Sequence, residues 1–464
     1  MMDQAKLDAL PCTLIVTRSG ASEVLVSWAS RRGSLPSRDV PCQARCAEYL
    51  ASAIQQRYGL EAYCLWVGQR TVPGDAPAPG HYAVMEVLHP NEPAPAGMSW
   101  VSARQAVSRV CGSDSTAIES FLEDLNRQGA DHQASPFAKP GWIQELFSWA
   151  REQLRPFGLR LTGGFWQLNA SPTFSLMRLQ TNRSAVWFKA TGQPSAQELP
   201  VTLSLARLVP EYVPQVLAVH SAWNGWLSPQ VRGTLLSEAG DRSAWETAAR
   251  ALAELQIRLL AKAAVLRESR VRDFRTQGLA RFIDPFIDGM AELMRAQNKQ
   301  SPAPLTTEEL GSLRGQIAES CQRLESLGLS ASLGRFDLNP GNIVVCRDRA
   351  VFLDWSETYW GHPFLSVAYL IEHFRRHYTD VALEAKLKSA YQEPWKAVCP
   401  EEKVSAALAV APLIAAFAYT IASRSWQDRD QRREPQAGGF LRSMTRRMHR
   451  EARLLEQGRE TCLS

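Results

Sequence analysis

Two short apolar strands, closed by a charged turn and flanked by hard oxygen ligands, constrain this chain more than any other stretch. The text runs Arg335-Phe336-Asp337-Leu338-Asn339-Pro340-Gly341-Asn342-Ile343-Val344-Val345 and then Val351-Phe352-Leu353-Asp354-Trp355. Ile343–Val345 and Val351–Leu353 are β-branched and aromatic runs joined by the polar stretch Arg347-Asp348-Arg349, so the spacing predicts a hairpin. A hairpin brings its ends together. Asn342 enters the first strand and Asp354 leaves the second, so both oxygens face one cation of the kind that prefers carboxylate and amide ligands. An acid, an amide five residues on and a second acid after the next strand supply an acceptor base, Asp337, and two Mg²⁺ ligands, Asn342 and Asp354, as phosphoryl transfer requires.

The stretches Asp-Leu-Asn-Pro-Gly-Asn and Leu-Asp-Trp resemble the text of the aminoglycoside phosphotransferase and choline kinase-like group, His-Gly-Asp-Leu-His-Pro-Gly-Asn followed by Ile-Asp-Trp. These are relatives of the protein kinases. The resemblance implies an α+β, bilobal kinase-like fold with a small β-rich lobe over about 141–230 and a helical large lobe over about 231–464. It also implies that Asp337 orients and deprotonates an acceptor hydroxyl while Asn342 and Asp354 hold the metal that bridges the phosphates of ATP or GTP.

Such a fold needs a second half of the site upstream. Phe174–Gln180 and Ala185–Ala190 read as strands around Thr181-Asn182-Arg183-Ser184, with Lys189 near the end of the second and Glu198 where a helix begins. In kinases a strand lysine neutralises the α- and β-phosphates and a helix glutamate holds it in place. Lys189 and Glu198 fit those roles. The stretch Gly163–Thr173 takes the place of a glycine-rich loop, and its amides with Ser171 or Thr173 are the candidate phosphate donors. Val213–Val219 and Gly225–Ser228 read as the last strands of the small lobe, and Trp226–Gln230 as the adenine-pairing hinge. Apolar residues at helical spacing over Trp245–Leu260 and Phe282–Leu293 mark the helical lobe.

The chain departs from the family text in places that matter. Arg335, Phe336 and Asn339 stand where the family has His, Gly and His. Gly361-His362-Pro363-Phe364-Leu365-Ser366 matches a Gly-Asp-Pro-x-x-Asp segment with both acids replaced, by His362 and Ser366. The second acid of that segment accepts backbone N–H bonds from the catalytic loop, a task for which a neutral serine is the weaker acceptor. Arg335 either compensates for that loss or pairs with Asp337 and draws it from substrate. Because base and metal ligands survive, the reading is an ATP- or GTP-dependent phosphotransferase acting on a hydroxyl of a small molecule such as an aminoglycoside, sugar or amino alcohol. The alternative is a nucleotide-binding pseudokinase acting as a sensor or adaptor.

At 464 residues the chain is long enough for two domains or more, and its composition is globular. Residues 1–128 alternate strand-like runs (Thr13–Val16, Val24–Trp28, Ala62–Val67, His81–Val87) with a helix over Cys42–Tyr58, as in an α/β or α+β domain, and the polar stretch 129–140 reads as a linker before the kinase-like part, 141–464. The text Ala53–Ala62 with Met98–Val101 is similar to a Nudix hydrolase, but Ala53, Gln56 and Arg57 stand where that family places metal-binding glutamates, so the likeness implies a degenerate, non-catalytic domain. Nine cysteines without Cys-x-x-Cys pairs read as reduced thiols, and Met1–Leu10 lacks a basic region followed by an apolar core, so a cytoplasmic location is expected. Val404–Ser423 is apolar enough to suggest a membrane span, yet its alanine content and its place in the large lobe favour a core helix. Arg424–Arg453 carries nine arginines against Asp428, Asp430, Glu434 and Glu451 and reads as a solvated final helix after a Gly438-Gly439 break, with no nucleic-acid-binding motif beside it.

Overall fold

The computed structural model describes residues 9–463 apart from 19, 21, 29, 30, 42, 43, 70–80, 131–135, 172, 261, 263–268 and 270. Most of Met1–Leu10, the middle of the 129–140 stretch and Pro172 therefore lie outside the described residues. The chain divides into two compact units, one comprising residues 1–199 with 215–230, the other 200–214 with 231–464.

The first unit contains two sheets. Strands β1 (Ala9–Arg18), β2 (Glu23–Ser27), β3 (Ser37–Pro41), β4 (Ala62–Gln69), β5 (His81–Val87) and β6 (Met98–Ser102) form a mixed sheet in the order β4-β5-β1-β2-β6, with β3 paired to β1. Helices α1 (Cys46–Tyr58), α2 (Ala103–Arg109), α3 (Gly112–Ala130) and α4 (Trp142–Leu154) accompany it. The second sheet is antiparallel: β7 (Leu161–Ser171), β8 (Phe174–Thr181), β9 (Val186–Thr191), β10 (Ala218–His220) and β11 (Gly225–Pro229) run in the order β10-β11-β9-β8-β7. One apolar core serves both sheets, joining Val84, Phe121 and Trp142 to Met177, Phe188 and Leu227. Phe137 and Ala138, at the described end of the linker stretch, are buried in or against this core. Polar ties reinforce it. The buried Gln167 amide of β7 donates to Cys64 O at 2.8 Å and accepts the Cys64 N–H at 2.7 Å, a bidentate bond that satisfies two backbone groups of β4. Glu86 accepts the Gly141 N–H at 2.7 Å and the Tyr63 hydroxyl, and burial raises its pKa.

Sequence periodicity and structure differ here in identifiable ways. The ladder over Val213–Val219 shrinks to Ala218–His220, preceded by one bond from the Leu217 N–H to Leu227 O at 2.7 Å, and Pro214 offers no N–H to a neighbour. Helix α1 starts at Cys46. The run Gly112–Ala130 is a helix of 19 residues.

The second unit receives most of the helix α5 (Glu198–Leu208) and is built around α6 (Ser243–Leu259), whose alanines let neighbouring helices approach. Two small sheets are inserted among the helices. Strand β12 (Thr234–Leu235) pairs with β15 (Ile343–Cys346), which forms an antiparallel hairpin with β16 (Arg349–Phe352). Strand β13 (Arg272–Phe274) lies parallel to β17 (Thr358–Gly361), which pairs antiparallel with β14 (Ser332–Arg335). Gly334 is dictated by this sheet, since a Cβ there would meet the Tyr359 ring at 2.1 Å. The helix Glu401–Ala422 is long and apolar enough to cross a membrane, and 67% of its apolar window is buried inside the protein, where Phe417 packs edge-on to Phe286. The last helix runs unbroken from Pro435 to Leu463, through Gly438-Gly439. The glycine pair is no break: a Cβ at Gly438 would strike Arg432 O at 2.5 Å and meet Leu293 at 3.4 Å, so close packing explains that glycine within the helix.

Candidate active site

In the first unit, β9 is the middle strand of its sheet and places Lys189 between Trp226 of β11 and Leu176 of β8. The Lys189 side chain is 11% exposed, and its Nζ donates to Glu198 Oε1 at 2.6 Å. Glu198, the first residue of α5, is 1% exposed. An ammonium withdrawn from water to this degree needs a counter-charge, and the helix start provides a carboxylate position that the macrodipole also favours. The rings of Phe174 and Trp226, with centroids 5.6 and 6.0 Å from Nζ, complete the cage. Beside it, the β7–β8 turn carries the two candidate phosphate donors. Ser171 Oγ accepts the Thr173 N–H at 3.3 Å, while Thr173 O accepts the Gly192 N–H at 2.5 Å. The Ser171 hydroxyl thus shapes the turn, and Thr173 ties it to the end of the lysine strand.

In the second unit the loop after β14 is built from two consecutive Asx turns. Asp337 Oδ1 accepts the Asn339 N–H at 3.0 Å, and Asn339 Oδ1 accepts the Gly341 N–H at 2.9 Å. Asn339 therefore replaces the family's histidine with a residue that rigidifies the loop locally. Asp337 Oδ2 accepts from Asn342 Nδ2 at 2.7 Å. This bond fixes the amide orientation, directing nitrogen to Asp337 and leaving its oxygen as the side suited to a cation. The hairpin follows with Ile343 opposite Phe352, and Leu353 N–H donates to Asn342 O at 2.8 Å. Asp354 comes next, at φ 60°, a left-handed conformation that an aspartate tolerates at a cost of about 1 kcal/mol. Ser356 holds the turned carboxylate through its hydroxyl, 2.6 Å from Oδ1, and its N–H at 3.2 Å. The sequence-predicted residues Asp337, Asn342 and Asp354 are thus gathered by one loop and one hairpin.

The departures from the family text have structural roles. Phe336 stacks on Tyr359 with centroids 4.4 Å apart. Ser366 Oγ, fully buried, accepts the Arg335 N–H at 2.9 Å and lies 2.9 Å from the Tyr359 hydroxyl. A serine thus performs the backbone support expected of the missing acid, strengthened by a second hydroxyl. Arg335 is 1% exposed and lays its guanidinium over the Trp355 ring at 5.0 Å, where its charge also favours ionised Glu357. His362 is buried, its Nδ1 accepts the Phe364 N–H at 3.4 Å, and burial pushes its pKa down to about 4. It is therefore a neutral imidazole at neutral pH. Gln256 secures this loop by donating to Pro363 O at 2.8 Å.

One acidic neighbour was easily missed as part of the site. Glu357, three residues after Asp354, is surface-accessible yet partly desolvated; that desolvation first, then the carboxylates of Asp337 and Asp354, push its pKa up to about 6. Its backbone oxygen accepts the Phe336 N–H at 3.1 Å, clamping the strand after Asp354 to the loop before Asp337. The i+3 spacing from Asp354 was the available signal.

The oxygen set of Asn342 and Asp354 suits Mg²⁺, which is commonly held by one or two protein ligands together with substrate phosphates.

Residues 189–399 match the phosphotransferase enzyme family, APH. Among solved structures, a choline kinase from Cryptosporidium parvum is 13% identical, with 68% of this chain and 97% of that chain covered at a TM-score of 0.46. A choline/ethanolamine kinase family protein from Mesorhizobium loti is 14% identical over 66% of this chain and 99% of its own, with a TM-score of 0.44. A macrolide 2'-phosphotransferase type I is likewise 14% identical, over 66% and 97%, at 0.44. No curated protein matches the chain. Over residues 189–399, which hold Lys189, Glu198, Asp337, Asn342 and Asp354, the chain is similar to the phosphotransferase enzyme family.

Proposed function

We propose that the protein transfers the γ-phosphoryl group of ATP or GTP to a hydroxyl of a small molecule. The observation that carries this reading is the 2.7 Å bond from Asn342 Nδ2 to Asp337 Oδ2 at the mouth of the β15–β16 hairpin. It fixes the base and one metal ligand in a single unit, with Asp354 on the adjoining strand end. Asp337, half-buried and with its oxygens oriented by Asn339 and Asn342, accepts the proton of the acceptor hydroxyl as that oxygen attacks phosphorus. Asn342 and Asp354 are the residues that would hold Mg²⁺, which when bound supplies neutralisation of phosphate charge. Lys189, held by Glu198, offers an ammonium to the α- and β-phosphates, and the Thr173 turn offers backbone donors.

The test is ADP or GDP release from the Mg²⁺-nucleotide in the presence of a panel of hydroxylated acceptors, with wild type beside Asp337→Ala. Acceptor-dependent release by wild type, absent in a variant that still binds nucleotide, is the expected result. Equal release by the variant would remove Asp337 from the chemistry, and no release by wild type with any acceptor would favour the sensor or adaptor reading.

A further inference from the structure

The unit that carries Lys189 also holds a cavity that the phosphoryl-transfer chemistry does not use. It measures about 260 Å³ and lies between strand β3 and helix α1. Its floor is apolar, made by the buried Leu14 of β1 and Ile54 of α1. Its walls are polar and cationic. Ser37 and Arg38 of β3 stand on one side, and Gln56, Arg57 and Tyr58 of the last turn of α1 on the other.

The fold decides which charges reach this space. Val40 packs with Leu50 and Ile54 in the core beneath α1, so Arg38, two residues earlier on the strand, shares that face, while Asp39 between them points to the other. Glu48, the acid of α1, stands half a turn round the helix from Arg57. Glu61, just beyond the helix, is paired with His89 at 3.6 Å. Among the described residues no carboxylate therefore lines the cavity, and two guanidiniums face it unopposed. Each rests on an aromatic ring instead of an acid. Arg38 lies 5.9 Å from the Tyr49 centroid and donates from Nε to the Tyr49 hydroxyl at 3.3 Å, and Arg57 lies 5.5 Å from the Tyr58 centroid. Stacking of this kind steadies the planar group and leaves Nη hydrogens for a ligand. The macrodipole of α1 accounts for a basic residue in its last turn. It does not account for a second arginine brought to the same cavity by a separate strand.

The lining defines the ligand. With no carboxylate, His or Cys side chain, it offers no side-chain ligand to a metal ion and no group to move a proton, so the cavity binds rather than catalyses. Two guanidiniums from separate elements match an anion of two charges with several acceptor oxygens, and Ser37 and Gln56 add neutral donors beside them. A phosphate monoester, with a charge of about −1.5 to −2 at neutral pH, meets that description, whereas a carboxylate brings a single charge. The volume lies below the range of drug-sized ligands and suits a small metabolite. We propose that this cavity is a second ligand site, in which Arg38 and Arg57 clasp the phosphate of a small phosphate monoester while Leu14 and Ile54 meet its carbon skeleton. Nothing in this site draws on Asp337, Asn342 or Asp354. Ile54 also belongs to the core on which Ala170 of β7 packs, so the helix that holds the ligand supports the strand leading to the Ser171 turn.

The experiment is calorimetric titration of the full chain, at fixed ionic strength, with glycerol 3-phosphate, inorganic phosphate, glycerate and glycerol. Glycerol 3-phosphate is expected to bind at least about tenfold more tightly than glycerate or glycerol, and Arg38→Gln and Arg57→Gln are each expected to weaken it about tenfold or more, as loss of a charge-assisted bond does. Affinity should fall as pH is lowered from about 7.5 to about 5.5, where the monoester takes up a proton. Both arginines are exposed, so the variants should melt close to wild type. Ser37→Tyr, which fills the cavity from an exposed strand position and keeps both arginines, should abolish binding and decides the matter if a glutamine variant fails to fold. No binding of glycerol 3-phosphate or inorganic phosphate at millimolar concentration overturns the proposal. So does glycerate or glycerol binding as tightly as glycerol 3-phosphate, or an affinity for glycerol 3-phosphate that is unchanged in the glutamine variants or in Ser37→Tyr.

Discussion

Lys189 and Asp337 carry opposite charges and are stabilised by opposite strategies. Lys189 is enclosed: Glu198 sits 2.6 Å away at 1% exposure, and two aromatic rings cover the ammonium. Asp337, Asn342 and Asp354 are each only half-buried and are oriented by hydrogen bonds from their own loop or turn. The first arrangement makes charge part of the core, where removing either partner leaves the other stranded. The second leaves charge accessible to chemistry and makes little demand on the fold. A substitution should therefore affect stability in the one region and turnover in the other.

The sharpest way to break that contrast is at Asp337. Asp337→Ala is expected to lower acceptor-dependent turnover about a thousandfold, as loss of a general base does, with a melting temperature close to wild type. A large loss of stability instead would show that the loop acid is structural. Next comes Glu198→Ala, which strands the Lys189 ammonium and should cost about 3 kcal/mol in urea unfolding. Unchanged stability there would mean that the pair is loosely held. Ser366→Ala leaves the buried Arg335 N–H without its acceptor and should cost about 2 kcal/mol, with turnover falling as the loop loosens; a neutral outcome would refute the support assigned to Ser366.

The smallest effect concerns Glu357 and pH. Its folded-state pKa, about 6, lies above its ordinary value, so the folded protein keeps this proton at pH values where the unfolded chain has released it. The contribution is favourable below the ordinary glutamate pKa and is lost as pH rises through about 6. Glu357→Gln should accordingly flatten this part of the stability curve between roughly pH 4.5 and 7. An identical slope in both proteins would show that neither desolvation nor the carboxylates of Asp337 and Asp354 raise the pKa of Glu357.

The two regions were legible in the sequence for different reasons. The hairpin could be read because Ile343–Val345 and Val351–Leu353 combine β-forming residues with a polar turn; the structure extends the first strand to Cys346 and starts the second at Arg349, inside the expected turn, ending it at Phe352. Lys189 and Glu198 were found by order along the chain, and their bond is a tertiary fact that local pattern only permits. Reading failed where packing overrides local preference. Gly438-Gly439 looks like a helix stop, yet Gly438 lies in the first turn of the last helix, where Arg432 O and Leu293 leave no space for a Cβ. Ser366 looked like a lost function, because sequence shows the missing carboxylate and not the Tyr359 hydroxyl that folds against the replacement. Arg335 offered no sign that its charge would be buried over Trp355.

The most direct measurement is the thermal stability of the full chain with ATP or GTP, with and without Mg²⁺, for wild type and Asp354→Ala. A ligand that binds only the native state must raise its melting temperature. We expect a rise with either or both nucleotides that requires Mg²⁺ and disappears in Asp354→Ala. No rise at millimolar nucleotide, or an equal rise in the variant, would contradict a nucleotide site organised by the Asn342–Asp354 hairpin.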